Sequence, residues 1–344
     1  MDCFVLLRFA CGPRNDNSGG MNPLAPTDET TLAEAIGDAA AAGEPLLIHG
    51  NGTKAAMLRP VQAARALSTR NHRGIVLYSP NELVIRARAG TPLDEIEAAL
   101  AEHGQYMIAE PPDLSALFGS TAPQTLGGVV AANLSGPRRV AWGATRDHLL
   151  GVRAVNGSGE VIRSGGRVLK NVTGLDLCKL LAGSHGTLAM ITEITMKVLP
   201  RPESAGTVAL FGLDAETGVA ALAAALGSPY GVSAAAWLPP REAARLGFPQ
   251  SAALARIEDF ASFVAYRTDR LRAELARYGN GEILDETTTR GIWRAVRDAT
   301  PLEVDPWDAV WRVSVRPSAG PAVARTVEAA FSGSRFLDWG GGLV

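Results

Sequence analysis

Along residues 27–42 the apolar positions recur at helical spacing. Leu32, Ile36 and Ala39 fall on one face, Thr27 and Asp28 can cap the start, and Gly43 can stop it. Pro45–His49 is a short, continuous apolar run and predicts a buried strand. Residues 74–79 and 83–89 predict two more. In the second of these, Ile85, Ala87 and Ala89 alternate with Val84, Arg86 and Arg88, so one face is expected to be buried and the other wet. The next helix carries Thr91 as its cap, Pro92 in its first turn, Asp94 and Glu95 at its positive end, and Gly104 beyond its last turn. Residues 149–163 read as a hairpin turning on Asn156-Gly157-Ser158-Gly159, and Thr187–Leu199 as a long closing strand.

After Pro200-Arg201-Pro202, which reads as a linker, the pattern changes. Strands at 206–212, 232–237 and 309–315 alternate with helical stretches at 215–226, 262–278 and 318–332, an α+β or split βαβ arrangement. With 344 residues, two domains are expected. Residues 1–26 are expected to be a disordered or non-native extension, because Asp2 and Arg8 spoil a signal-peptide reading and Met21 precedes a well-formed start. The stop at Val344, soon after an apparent strand, predicts that the natural protein continues at its C-terminus.

Composition narrows the function classes. The chain is 47% hydrophobic and 20% charged with a net charge of −2, so no strong electrostatic pull toward nucleic acid or acidic membranes is expected. No apolar run approaches the roughly 20 residues that span a bilayer, so no direct membrane insertion is expected. Three cysteines (Cys3, Cys11 and Cys178) form neither a CxxC pair nor the set of about four thiolates an iron–sulfur cluster needs. No metal site is expected.

Three glycine-bearing clusters carry the candidate chemistry. The first, His49-Gly50-Asn51-Gly52-Thr53-Lys54, follows a predicted strand and would bring backbone N–H groups against an anionic oxygen such as a diphosphate. An ordinary turn accounts for it equally well. Gly50, Gly52 and Ala55 also match the G-x-G-x-x-A dinucleotide pattern; against that, Pro60 falls where the helix should run on, and the next strand ends Tyr78-Ser79-Pro80 without an acidic residue for a ribose. The second cluster runs from Thr125 to Gly136. Gly127 and Gly128 remove side chains where a planar ring and its phosphates would lie, and free N–H groups at the helix start would favour negative charge. Its bland alternative is a close helix–strand contact. The third runs from Lys170-Asn171 through Gly174-Leu175-Asp176 to Gly183-Ser184-His185-Gly186-Thr187-Leu188 and Ile191-Thr192-Glu193. Three such bends, each beside a predicted strand or helix start, suggest one shared ligand.

Taken in order, HGNGTK (49–54), PPD (111–113), TLGGVVAANLSG (125–136), WGATRDHLLGVRAV (142–155), KNVTGLDL (170–177) and GSHGTLAMITEITMKVLPRP (183–202) resemble the FAD-binding domain of the vanillyl-alcohol oxidase / p-cresol methylhydroxylase (PCMH) superfamily. The last segment, with Trp311–Val315 and the terminal LDWGGG, is most similar to the FAD-binding E subunit family of bacterial glycolate oxidases. The resemblance implies an α+β fold: a two-lobed PCMH-type FAD-binding domain over 27–202, then a smaller ferredoxin-like cap or substrate-side domain over 203–344, incomplete at its C-terminus. It places Gly50, Asn51, Gly52, Thr53 and Lys54 on the FAD diphosphate. Pro112, Asp113, Thr125, Leu126, Gly127, Gly128, Ala131, Asn133, Ser135 and Gly136 would line the cofactor. Gly143, Ala144, Thr145 and Arg146 would border it, and Gly183, Gly186 and Ile191 would contact its nucleotide side. Covalent members attach flavin through a histidine just after the first loop; Thr53 stands there, so non-covalent FAD is expected. Ala189 in place of a usual glycine and His185 in place of a usual glutamate are departures that bear on the third turn.

The resemblance further implies an oxidoreductase subunit in glyoxylate metabolism, cytoplasmic or peripheral on the inner membrane through partners. The small 2-hydroxy acid glycolate would be the substrate, and a second flavoprotein subunit and an iron–sulfur subunit the partners. All five histidines (His49, His72, His103, His148 and His185) precede residue 186, so the second domain lacks the histidine-rich site of catalytic relatives. No catalytic residue is assigned. Arg241, Arg290, Arg294 and Arg312 are candidates for a carboxylate, each equally readable as a surface charge. The alternatives are a self-sufficient D-lactate or other D-2-hydroxy-acid dehydrogenase, and a non-catalytic scaffold that has lost FAD.

Overall fold

The computed structural model describes residues 5–10, 23–58, 61–166, 175–305 and 308–344. Lys170, Asn171 and Gly174 of the third cluster, together with Cys3, Cys11, Met21 and Pro60, lie outside the described residues. The chain divides into two compact units. One comprises Gly12–Ser135 and Ala144–Arg201; the other comprises Met1–Cys11, Gly136–Gly143 and Pro202–Val344.

In the first unit the Glu29–Ala42 helix starts where Asp28 accepts a hydrogen bond from the Thr31 amide (2.9 Å) and stops at Gly43, whose φ of 66° suits a residue without Cβ. Its buried Leu32 and Ile36 pack with Leu67, Val155 and Met190. Leu46–His49 lies parallel to Arg65–Ser68 and is only half-buried, where a buried strand was expected. The main sheet has five antiparallel strands in the order Ile75–Ser79, Val84–Arg88, Ala189–Lys197, Leu149–Asn156, Val161–Gly165. Val84 is buried as well as Ile85, so that strand departs from the expected one-sided alternation. The helix at Leu93–Glu102 also differs at its start. The Thr91 hydroxyl accepts from the Gly74 amide (2.9 Å) and donates to the Arg88 carbonyl (2.7 Å), tying two loops together, and Pro92 occupies the cap position.

The second unit holds a four-stranded antiparallel sheet in the order Val232–Leu238, Ala252–Asp259, Ser204–Phe211, Gly281–Leu284. One face buries Leu222 of the Ala215–Gly227 helix and Leu271 of the Ala261–Leu275 helix against Val208, Trp237 and Ile257. The other buries Ile292, Trp293 and Val296 of the Glu286–Arg297 helix against Ala234, Ala236 and Leu254. Three of these elements, Ala252–Asp259, Gly281–Leu284 and Glu286–Arg297, were not anticipated. Strand Ala309–Ser314 does not join this sheet. It pairs antiparallel with Val5–Ala10.

Candidate cofactor site

Strand Leu46–His49 delivers the chain to Gly50, whose carbonyl accepts from the Ser68 hydroxyl (2.7 Å) and lies 2.8 Å from His49 Nδ1. A Cβ on Gly50 would sit 2.2 Å from Thr125 Oγ1, so the first bend and the second cluster approach too closely for any side chain. Asn51 Nδ2 donates to the Pro123 carbonyl (2.8 Å), and Gly52 turns at a φ of 76°. Lys54 Nζ reaches Gln124 Oε1 (3.1 Å) and Thr53 Oγ1 (3.3 Å), and a Cβ on Gly128 would lie 3.6 Å from that nitrogen. Gln124 Nε2 in turn donates to the carbonyl of buried Pro112 (3.2 Å). A small open cleft is lined by Thr53, Lys54, Asp113, Leu114, Ser115, Gln124 and Leu134.

Burial is the dominant influence on Lys54, lowering its ammonium from 10.5 to about 8 against the opposing attraction of Asp113. The oxygens that accept from Nζ are neutral. A partly buried ammonium so placed is stabilised by an added anion, and a diphosphate suits it.

The helix start behaves differently from expectation. Thr125 caps Leu126–Ala131 by accepting from the Gly128 amide (3.3 Å). The Leu126 amide donates to the Thr91 carbonyl (2.9 Å), and the Gly127 amide to the Ala89 carbonyl (2.8 Å). These N–H groups are therefore engaged within the protein, and the positive charge facing the cleft is that of Lys54. A Cβ on Gly127 would fall 2.7 Å from Ala89 Cβ, so this glycine serves the close helix–strand contact. Leu126 is buried, and Ile191 sits inside the central strand opposite Ala154.

The third bend joins the other two. The Gly183 amide donates to the Val130 carbonyl (3.2 Å) and the His185 amide to that of Ala131 (2.9 Å), the last residues of the same helix. Gly183, His185 and Gly186 all have positive φ (87°, 52° and 76°); added Cβ atoms would lie 3.4 Å from Asn133 Cβ at Gly183 and 3.6 Å from Ile48 Cβ at Gly186. Ser184 Oγ is buried here without a hydrogen-bond partner among the described residues. Asn133 Oδ1 accepts from the Arg146 amide (3.0 Å), Ser135 Oγ from that of Thr145 (2.9 Å), and Asp147 from that of Ala144 (2.8 Å), so the 144–146 turn is pinned beside residues 133–135. Gly136 and Gly143 belong to the second unit, where the Gly136 carbonyl accepts from Trp339 Nε1 (3.1 Å). Gln124 and Ser68 were missed; Gln124 immediately precedes Thr125, but no glycine marks it. His49, His148 and His185 are all held below the usual imidazole value by burial. No cluster of His, Cys, Asp and Glu suited to a metal occurs among the described residues, nor any helix long and apolar enough to cross a membrane.

The bends converge in one unit, and the donor set fits a nucleotide diphosphate; FAD is the cofactor. Residues 24–165 match the FAD binding domain family. Among curated relatives, the chain is similar to the glycolate oxidase subunit GlcE of Escherichia coli (strain K12), 50% identical over 173 residues that make up 50% of this chain and 47% of the relative. It is also similar to the glycolate oxidase subunit GlcD of Bacillus subtilis (strain 168), 31% identical over 165 residues, 48% of this chain and 34% of that one. The chain thus spans about half the length of the first of these relatives, and less of the second. Among solved structures, p-cresol methylhydroxylase with substrate bound superposes with a TM-score of 0.63 over 79% of this chain and 60% of that one, at 12% identity, a likeness of fold alone.

Proposed function

We propose that the chain is the FAD-carrying subunit of a multi-subunit glycolate oxidase, taking part in the conversion of glycolate to glyoxylate. The observation that carries this reading is the 50% identity over 173 residues to an E subunit. It is joined by a partly buried lysine lining the cleft beside the first glycine-bearing bend. In this reading Lys54 and the Gly50–Thr53 bend hold the diphosphate, Ser184 and the Gly183–Gly186 turn the nucleotide side, and residues 133–135 and 144–146 the flavin border. FAD, once bound there without a covalent link, supplies a two-electron acceptor for the alcohol carbon. The chain contributes orientation and charge. A second flavoprotein subunit performs or shares substrate oxidation, in keeping with the absence of histidine after residue 185, and an iron–sulfur subunit carries electrons onward.

The test is the absorbance spectrum of the purified chain, with and without glycolate, in the absence of oxygen. A flavin band that glycolate leaves oxidised, with turnover appearing once the second flavoprotein subunit is added, is the expected result. Rapid bleaching by glycolate or D-lactate in isolation would replace this reading with a self-sufficient dehydrogenase. A colourless protein whose melting temperature ignores added FAD would replace it with a scaffold.

A further inference from the structure

The chain leaves the first unit after Ser135 and returns to it at Ala144, and the Gly136–Gly143 segment between those points belongs to the second unit. Within this excursion the Arg139 amide donates to the Gly136 carbonyl (3.1 Å) and the Gly143 amide to the Arg139 carbonyl (3.0 Å), closing the short Arg139–Trp142 helix. Gly143 then turns the chain back at a φ of 84°, a conformation that side chains disfavour.

Side chains fix the excursion to the second unit. Arg138 grips Glu258 of the Ala252–Asp259 strand through two bonds, Nε to Oε2 (2.9 Å) and Nη2 to Oε1 (2.7 Å). Both side chains are largely buried, at 11% and 6% exposure. Glu258 is itself held: Ser233 Oγ on the neighbouring strand donates to Oε2 (2.8 Å), and Arg256 Nε lies 3.2 Å from the same oxygen. Trp339 Nε1 donates to the Gly136 carbonyl (3.1 Å), and the Arg139 guanidinium lies 4.4 Å from the centre of the Trp339 ring. The two ends of the excursion are pinned to each other in the first unit. Ser135 Oγ accepts from the Thr145 amide (2.9 Å), Thr145 Oγ1 donates to the Leu134 carbonyl, and Asn133 Oδ1 accepts from the Arg146 amide (3.0 Å).

A largely buried ion pair is a poor device for gaining stability, because desolvation offsets much of its attraction; a two-bonded fork supplies fixed geometry instead. The second unit already buries an apolar cluster on each face of its sheet. What the Arg138–Glu258 fork adds is a set position for the segment whose two ends run into residues 133–135 and 144–146.

We propose that Arg138, held by Glu258, is a positioning residue for FAD: through the Gly136–Gly143 excursion it keeps residues 133–135 and 144–146 in the conformation that receives the flavin. The proposal rests on the placement of those residues at the flavin border in the reading above. Releasing the excursion gives them conformational freedom that cofactor binding must remove again, so affinity falls although no contact with FAD is lost.

The experiment is fluorescence titration of FAD onto the flavin-stripped full chain, well below the melting temperature of each variant, with thermal melts alongside. Arg138→Met and Glu258→Gln are expected to weaken FAD binding about tenfold, within the usual range of coupling between sites. Arg138→Lys keeps the charge and loses the fork, so it should fall between them and the parent. The double variant should lose no more than the poorer single, because both break one link. Arg267→Met is the control for stability alone. It removes an ion pair to Asp259 (2.6 Å), next to Glu258 in the same strand, and should lower the melting temperature while binding FAD as the parent does. Should Arg138→Met not fold, Arg138→Lys and Glu258→Gln decide. FAD affinity within about twofold of the parent in the Arg138 and Glu258 variants, or an equal loss in Arg267→Met, overturns the proposal. Asn133→Gly separates it from the reading beneath it, since glycine accepts the φ of 48° and removes only the side chain that holds the Arg146 amide. Weaker FAD binding by Asn133→Gly but not by Arg138→Met leaves the flavin border standing and removes the positioning role. If Asn133→Gly binds FAD as the parent does, the border placement falls and the proposal with it.

Discussion

Replacing Lys54 with methionine removes the ammonium and keeps most of the side-chain volume. The lowering of this group from 10.5 to about 8 corresponds to about 3 kcal/mol at ~1.36 kcal/mol per pH unit, before any discount for the cleft's opening to solvent. In the FAD-free protein that amount opposes folding at neutral pH, because the charged amine is poorly solvated and accepted only by neutral oxygens. Lys54→Met is therefore expected to raise the melting temperature of the FAD-free chain by a few degrees. FAD affinity should move the opposite way, weakening roughly thirty- to hundredfold, the equivalent of about 2–3 kcal/mol for a charge-assisted contact to phosphate. The pH dependence fixes the sign. Between pH 8 and 10.5 the unfolded chain keeps a proton that the folded one has released, so the stability of the FAD-free parent should rise with pH through that window. FAD binding needs the proton back, so parent affinity should fall above pH 8 by up to about tenfold per pH unit. Thermal melts and fluorescence titration of FAD at pH 7, 8 and 9 measure both trends. A Lys54→Met protein that melts lower than the parent and binds FAD within threefold would refute the assignment of this lysine.

Other consequences can be checked on the same preparations. Gly127→Val would place carbon 2.7 Å from Ala89 Cβ and 2.9 Å from its carbonyl oxygen, and is expected to cost about 1–3 kcal/mol or more in denaturant unfolding; an unchanged midpoint would show that the helix can shift freely. Asp28→Ala removes the cap on the Thr31 amide and should lower the denaturant midpoint, with little effect on FAD affinity. Burial pushes the Glu258 carboxyl up, but Arg256 and Arg138 outweigh it and bring it from 4.5 down to about 2, so its contribution is present above pH 4.5 and is lost as pH falls toward 2. Glu258→Gln should therefore destabilise by about 3–5 kcal/mol at pH 7 and progressively less below pH 4.5, as followed by urea melts.

The Glu29–Ala42 helix of the first unit was legible because its signals agree: the side-chain cap marks its start, the apolar stripe its buried face and the glycine its end. The second unit was less legible for a definite reason. Ala252–Asp259 lies between two strands with helices over both faces, so Ala252 through Ile257 are all buried and no alternation survives. Its alanine-rich run carries neither a strand period nor a helical one, since both faces need small residues where side chains from two layers meet. Glu286–Arg297 escaped notice because Asp285 caps it from inside a polar stretch, while its anchor, Trp293, finds its hydrogen-bond partner in Thr207 (2.9 Å), far away in sequence.

The candidate site divides along the same physical line. Glycines advertise positive φ and close approach locally, which is why the bends at Gly50–Lys54 and Gly183–Gly186 could be found from residue type. What residue type could not say is which polar groups remain free once the chain has folded. The N–H groups of Leu126 and Gly127 resembled an anion trap and are consumed by the carbonyls of Thr91 and Ala89. Lys54 was found as part of the first glycine cluster, but only the folded chain shows that its ammonium is partly buried beside the cleft. Arg312 looked no different from Arg241 or Arg290 until Trp339 and Arg139 were brought beside it. Recognition chemistry thus resides in what folding leaves unpaired or holds at a cost, and that remainder is set by contacts between segments distant in sequence. The Lys54 variant probes this remainder directly, since it removes an ammonium that the fold holds against the cost of burial.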